Sequence, residues 1–302
     1  MTGPNFLLVG MERSGTHWVT ALLNAHPEVS CFPTMPFHKE TGEYSQEIGE
    51  VHFFNTLASL EPDTKNLFTR SLDNYLTKHQ KLFADLVDYK DKVSKEELYK
   101  MFTKRYNEVC ESQRQDKKIV GEATPAYVFH LDFIDRLYPG IKKLCIIRDP
   151  KDRIVSWHRS QVKKGNIKTM VISDQFALDY CQNRIKKEYE SLLAYKNNVH
   201  CFTYEDLSNH GPETVKNILE YLEVKIDDQI IDKMIAEADF KKLNAKDSGK
   251  SGRVRGEESL KSHYRKGIVG DWKNCLTSDQ AKMIDDTLAD LQAKVFNKYN
   301  IK

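Results

Sequence analysis

The stretch FLLVGMERSGTHWVTALLN, residues 6–24, is the part of the sequence that most clearly predicts a fold. Its four apolar residues, Phe6–Val9, predict a buried strand, and a turn containing Gly10 and Gly15 leads into a pattern of helical spacing. A strand that turns directly into a helix leaves backbone N–H groups unpaired at the positive end of the helix dipole. The turn therefore predicts a site for an anion.

This turn differs from the loop that binds nucleoside triphosphates. After the second glycine that loop carries Lys and then Ser or Thr, whereas Thr16 and His17 stand here. The lysine on the phosphates and the hydroxyl on magnesium are thus both missing. Arg13 instead provides a fixed cation, so we expect a single terminal anionic group to bind without a metal.

A second stretch, KLCIIRDPKDRIVSWHRSQ at residues 143–161, repeats the order of strand, turn and helix. Arg148 follows the strand and can bind a phosphate through paired donors, and Ser156 adds a hydroxyl about two turns into the helix. Two anion sites at the same edge of one sheet indicate a nucleotide that is phosphorylated at two places.

Apolar runs alternate with amphipathic stretches, which predicts an α/β protein with a parallel sheet. We expect one domain over residues 1–302, with a helical insert at about 55–115 that forms a lid or faces the substrate. A basic mobile loop is predicted at about 241–271, because nine Lys or Arg residues stand against three acids between Lys241 and Lys266. Further strands are predicted at 119–121, 143–147 and 199–203, and helix starts at Ser14, Ser94, Lys151, Ser173, Pro212, Asp227 and Thr277 and near Tyr127.

Composition limits the classes of function. The net charge is only +2, which argues against a nucleic-acid partner for the whole chain but permits a local basic site. We find no apolar run of about 18 residues and no secretory leader, so no membrane association is expected. The six cysteines include no CxxC pair, which is typical of a cytoplasmic protein with reduced thiols. The sequence does not fix the oligomeric state, and a homodimer stays open.

Three motifs, ERSGTHW (12–18), RDPKDRIVS (148–156) and YRKGIVGDWKN (264–274), together resemble the sulfotransferases that use 3′-phosphoadenosine-5′-phosphosulfate. The resemblance implies a P-loop-like three-layer fold, a central parallel sheet flanked by helices, with that nucleotide as cofactor and no metal. It implies that the 5′-phosphosulfate is held by Arg13, Ser14, Gly15, Thr16, His17 and Trp18, and the 3′-phosphate by Arg148, Ser156, Arg265, Lys266 and Gly267. Trp18 would also stack on the adenine, unless it is a core aromatic, and Tyr204 and Phe240 match positions that line the base pocket.

The resemblance also implies candidates for catalysis. GEVHFFN at residues 49–55 matches a segment of the glycan-modifying branch that carries the base, which makes Glu50 the candidate base and His52 its assistant. On an extended segment these two side chains would point the same way. Arg13 replaces the lysine of many members, and because arginine does not readily give up a proton, it should act through its charge. Glu122 and His38 stay open as alternative bases.

The expected reaction is sulfuryl transfer to a hydroxyl, or less favourably an amine, of a small-molecule or glycan acceptor. A carboxylate would act as general base, as acid–base catalysis of such a transfer requires. Two alternatives stay open. The first is a P-loop phosphotransferase, and the second is a nucleotide- or RNA-binding module that uses the basic segment 241–271.

Overall fold

A parallel five-stranded sheet forms the centre of the molecule, in the strand order β2-β3-β1-β4-β5. The computed structural model describes residues 3–10, 12–33, 52–59, 86, 92–248, 252–259 and 264–301. All four strand pairings are parallel, so the predicted fold class is confirmed. The strands are β1 (Phe6–Val9), β2 (Val29–Phe32), β3 (Ile119–Ala123), β4 (Lys142–Ile147) and β5 (His200–Thr203).

In the described residues, helices cover both faces of this sheet. They are α1 (Thr16–Asn24), α2 (Phe53–Ala58), α3 (Lys95–Arg114), α4 (Leu131–Leu137), α5 (Pro150–Lys163), α6 (Asp174–Tyr180), α7 (Lys186–Ala194), α8 (Tyr204–Asn209), α9 (Gly211–Leu222), α10 (Asp228–Glu237), α11 (Phe240–Ser248) and α12 (Ser278–Tyr299). A π-helical turn, Cys181–Ile185, joins α6 to α7, and 3₁₀ turns lie at Pro125–Phe129 and Asp271–Asn274.

Alternate residues of β1 enter two different cores. Leu7 and Val9 pack with apolar residues of α3, α4, α5, α7 and α12 on one face of the sheet. Phe6 and Leu8 pack with α1, α9 and α10 on the other face. All four side chains are fully buried, as expected for a central parallel strand that is covered on both sides.

Several helix starts follow local capping signals, as predicted. Ser94 and Thr277 each form a complete capping box at the starts of α3 and α12. Ser173 and Asp227 cap α6 and α10 through their side chains. Because capping signals are local in sequence, they predict these helix starts to within a residue or two.

Three local predictions need correction. Residues 241–248 were assigned to a loop but form most of helix α11, which buries Leu243 and Asn244. The described part of the insert at 55–115 is helical, but α3 is not a lid, because Phe102 and Tyr106 on this helix are fully buried in the core. Strand β2 was missed, since its short run is interrupted by Ser30.

Candidate functional site

The turn after β1 curls tightly against the neighbouring strand β4. Gly10 has a φ of 125°, and a Cβ there would lie 2.4 Å from the carbonyl oxygen of Ile146. Arg13 and Gly15 also have positive φ values, of 72° and 106°. A Cβ on Gly15 would lie 2.8 Å from the ring of Tyr204, so glycine is required there on both counts. This backbone path places the start of α1 at the edge of the sheet.

The start of α1 retains unsatisfied polar groups. Gly15 is its N-cap residue and provides no side-chain hydrogen bond to the first turn. The hydroxyl of Ser14 is buried and has no hydrogen-bond partner. Helix starts need acceptors for their first N–H groups, and a buried hydroxyl without a partner is costly. Both features fit an anionic ligand at this point.

The second predicted anion site adjoins the first. Arg13 Nε donates to Ser156 Oγ at 2.9 Å, and Arg148 donates to the carbonyl oxygen of Arg13 at 3.3 Å. Arg148 follows β4, which is the direct neighbour of β1, and Ser156 lies on α5. The prediction that the two turns share one edge of the sheet is confirmed by these contacts.

The segment 265–267 is fixed over this edge by two buried carboxylates. Asp271 accepts from Arg265 at 2.6 Å and from Lys266 at 2.9 Å, while Asp152 of α5 accepts from the backbone of Gly270 at 2.7 Å. Burial opposes the ionisation of Asp271, but the hydrogen bonds from Lys266 and Arg265 outweigh it and lower the pKa of this carboxyl to about 2. The two cations are therefore held next to α5.

Aromatic side chains form the apolar part of the same site. Trp18 Nε1 donates to the carbonyl oxygen of Ala238 at 3.0 Å, and its ring meets that of Tyr204 edge-on with centroids 5.0 Å apart. The ring of Phe240 lies against Gly267, where a Cβ would come within 2.2 Å of it. Trp18 is thus half-buried at the edge of the core and is not a core aromatic.

Most of these groups line one pocket. Every predicted nucleotide-binding residue lines it except Ser14, whose side chain is buried beneath it. Six lining residues were not predicted, although Tyr264 adjoins the basic motif and Pro125 follows the Glu-Ala-Thr sequence. These six are Glu12, Pro125, Leu243, Arg255, Tyr264 and Ile268.

The electrostatics of the pocket are those of an anion site. Burial lowers the pKa of Arg13, Tyr180 partly opposes this, and the positive charges of Arg148 and Arg265 lower it further. Arginine nevertheless stays protonated at neutral pH. A cluster of like charges with a buried member is unfavourable unless an anion lies between them.

The candidate bases are described only in part. Glu50 and His38 lie outside the described residues. His52 is 6 % exposed, and its Nδ1 lies 3.3 Å from Asn55 Oδ1. It has a φ of 50° and directly precedes α2, so the expectation of an extended segment at this residue is wrong.

Glu122 is fully buried at the end of β3. Its carboxylate accepts hydrogen bonds from the hydroxyls of Tyr106 at 2.5 Å, Thr124 at 2.6 Å and Tyr127 at 2.8 Å. Such a network favours a structural role, in which Glu122 ties α3 to the 3₁₀ turn that carries Pro125.

The described residues show neither a metal-ligand cluster nor a membrane-spanning helix. No group of three or more His, Cys, Asp or Glu side chains in this part of the chain is arranged to hold a metal ion. None of its helices has the length and apolar character needed to cross a membrane.

Comparison with known proteins agrees with the motifs. Residues 3–296 match the family model described as "Sulfotransferase domain". Sulfotransferase 6B1 of Danio rerio is 28% identical over 159 residues, which are 48% of this chain and 50% of that one. Cytosolic sulfotransferase 3 of Arabidopsis thaliana is 28% identical over 160 residues, or 48% of this chain and 51% of that one. The chain thus spans about half the length of these curated relatives.

Solved structures share the fold. A sulfotransferase from Alicyclobacillus acidocaldarius superposes with a TM-score of 0.53 at 16% identity, over 100% of this chain and 98% of that one. Mouse sulfotransferase SULT7A1, solved with PAP, gives a TM-score of 0.51 at 16% identity, over 96% and 84% of the two chains. These likenesses confirm the predicted P-loop-like α/β architecture. The family match favours a sulfotransferase over the two alternatives, a phosphotransferase and an RNA-binding module.

Proposed function

The chain belongs to the sulfotransferase family, and we propose that it transfers a sulfuryl group from 3′-phosphoadenosine-5′-phosphosulfate to a hydroxyl of a small-molecule or glycan acceptor. One observation carries the proposal: three distant stretches of sequence, 12–18, 148–156 and 264–268, line a single pocket. Its cations and aromatic rings suit the phosphates and the base of such a donor.

The residues fit the two ends of the donor. The unpartnered hydroxyl of Ser14 and the uncapped start of α1 would bind the 5′-phosphosulfate. Arg148 and the segment 265–267 would bind the 3′-phosphate, because the family resemblance assigns them to it and their cations line the same pocket. Trp18, Tyr204 and Phe240 would enclose the adenine.

Arg13 is placed to act on the transfer itself. The donor supplies an activated sulfuryl group whose leaving oxygen becomes negatively charged. Arg13 would stabilise that charge through its guanidinium N–H groups, and Ser156 holds the guanidinium in position through the hydrogen bond to Nε. Since this side chain retains its proton, it acts by charge and not as an acid.

A base must remove the proton of the acceptor hydroxyl as the new S–O bond forms. We assign this role to Glu50, with His52 as its assistant, on the strength of the GEVHFFN motif. Glu122 is the less favoured base, because three hydroxyls already occupy its carboxylate. Amine acceptors, a cytoplasmic location and a homodimer stay predictions.

The direct test incubates the protein with ³⁵S-labelled donor and a panel of acceptors. We expect a labelled product whose formation is inhibited by 3′,5′-adenosine bisphosphate, the desulfated co-product. Absence of product for every acceptor, together with no calorimetric binding of this bisphosphate, would rule out the proposal.

A variant tests the nucleotide site separately from turnover. Arg148→Ala should weaken binding of the bisphosphate by about 10- to 100-fold, the range for loss of a charged hydrogen bond to phosphate. Arg105→Ala, which removes a surface arginine of α3 paired with Glu108, serves as the matched control. Equal affinities of the two variants would refute the assignment of Arg148.

A further inference from the structure

The segment 252–259, called the strap below, places two arginines on two aromatic rings of the pocket. Arg253 Cζ lies 5.6 Å from the ring centroid of Phe240, and Arg255 Cζ lies 5.5 Å from that of Trp18. The strap thus presents a pair of cations to the apolar side of the pocket.

The two arginines are held in different ways. Arg253 donates to the carbonyl oxygens of Tyr264 at 2.5 Å and Arg265 at 2.8 Å, and it also contacts Asn244 Oδ1. These bonds fasten the strap to the segment that carries the 265–267 cations. Arg253 is therefore a structural residue of the strap.

Within the part of the chain that the structure describes, Arg255 makes one hydrogen bond, from its guanidinium to the carbonyl oxygen of Gly267 at 2.8 Å. The residue is exposed and lines the pocket. A single anchor fixes the direction of the guanidinium and leaves its other N–H groups open to a ligand. Of the two strap arginines, Arg255 lines the pocket and Arg253 does not.

The ring beneath Arg255 does not move freely. Trp18 is tied by its indole N–H to the carbonyl oxygen of Ala238, and the edge contact with Tyr204 fixes the tilt of the ring. Arg255 therefore stands beside a rigid aromatic surface, in the part of the pocket that Phe240 and Leu243 also line. A cation in such a place attracts the π face and the ring nitrogens of a purine.

We propose that Arg255 binds the purine base of the nucleotide and, together with Trp18, forms the outer wall of the base compartment. The inference rests on the proposed function, because it requires an adenine nucleotide in the pocket. It assigns Arg255 to the base and not to either phosphate, since its guanidinium lies against the ring of Trp18, which is proposed to enclose the adenine.

Calorimetry with two nucleotides tests this assignment. Arg255→Ala should weaken 3′,5′-adenosine bisphosphate and adenosine 5′-monophosphate by the same factor, about three- to tenfold for loss of a partly exposed cation–π contact. Val254→Ala, at an exposed residue of the strap that does not line the pocket, should leave both affinities unchanged. Because both residues are exposed, we expect unchanged melting temperatures.

A second measurement asks whether Arg255 acts together with Trp18. In a double-mutant cycle, Arg255→Ala should have little effect in a Trp18→Leu background, since the shared base contact is already lost. Additive effects would overturn the inference, as would an Arg255→Ala effect confined to the bisphosphate, which would show a 3′-phosphate contact. If the unaltered protein binds neither nucleotide, the proposed function fails; if it binds both and Arg255→Ala changes nothing, only this inference fails.

Discussion

Replacing Asp271 with asparagine removes the charge that holds Arg265 and Lys266 beside the pocket. The Asp271 side chain is fully buried, and each of its oxygens accepts a hydrogen bond from one of the two cations, at 2.6 and 2.9 Å. Its pKa falls from the usual value of 3.8 to about 2 in the folded protein. That difference corresponds to about 2 kcal/mol of folding stability, which is present only when the carboxyl is ionised.

The sign of the pH dependence follows from the lowered pKa. The stabilisation is complete above the unfolded pKa near 4 and is lost as the pH falls through the folded value of about 2. Asp271→Asn should therefore lower the free energy of unfolding by about 2 kcal/mol at pH 7. The difference between the two proteins should shrink to about half near pH 3 and nearly vanish at pH 2.

Urea denaturation at pH 7, 4 and 3, followed by fluorescence, measures this difference. Asp286→Asn is the control, because Asp286 forms a surface pair with Lys282 in which both side chains are largely exposed. Such a pair is worth about 0–1 kcal/mol. An Asp271→Asn penalty no larger than that of the control, or one that stays constant between pH 7 and pH 3, would refute the account of the buried anchor.

Three further changes test other parts of the site. Gly267→Ala should destabilise the protein by about 1–3 kcal/mol and weaken nucleotide binding, because the residue has a φ of 67° and the new Cβ would meet the ring of Phe240; an unchanged melting temperature would contradict this. Glu50→Gln should leave calorimetric binding of the bisphosphate intact and lower turnover by about 10²- to 10⁴-fold, whereas undiminished turnover would move the role of base elsewhere. Glu122→Gln should lower the melting temperature, since its carboxylate accepts a hydrogen bond from Tyr106 in the core; a loss of turnover without any loss of stability would instead identify Glu122 as the base.

Local signals in the sequence predicted much of the fold. Four of the five strands were visible as apolar runs, and the capping side chains of Ser94 and Thr277 marked helix starts. Strand β2 was not predicted, because it is short and contains the polar residue Ser30. The hydroxyl of Ser30 donates to the carbonyl oxygen of Gln113. Helix α11 was not predicted, because most of its residues are charged or polar. Burial of Leu243 and Asn244 in the folded protein stabilises this helix.

Site residues could be predicted from the sequence where they belong to a recognisable ligand-binding motif. Arg13, Arg148 and Arg265 stand in recognisable stretches, and the parallel order of β1 and β4 brings the first two together. Asp152 and Asp271 resemble ordinary surface acids in sequence. The anchoring role of Asp152 depends on contacts between α5 and the segment that follows Lys266, such as the hydrogen bond from Gly270 to Asp152, which joins residues 118 apart.

The arrangement of charges explains why the anchors are needed. Asp271 accepts hydrogen bonds from the cations of Arg265 and Lys266 within its own segment, and Asp152 of α5 accepts one from the backbone of Trp272. Among the described residues no carboxylate forms an ion pair with Arg13, and its pKa is lowered by burial and by the neighbouring arginines, with Tyr180 and Glu12 partly opposing them. Arg13 is therefore repelled by Arg148 and Arg265. An anion in contact with Arg13 would offset this repulsion, which fits the proposed role of Arg13 in stabilising the negative charge of the leaving oxygen.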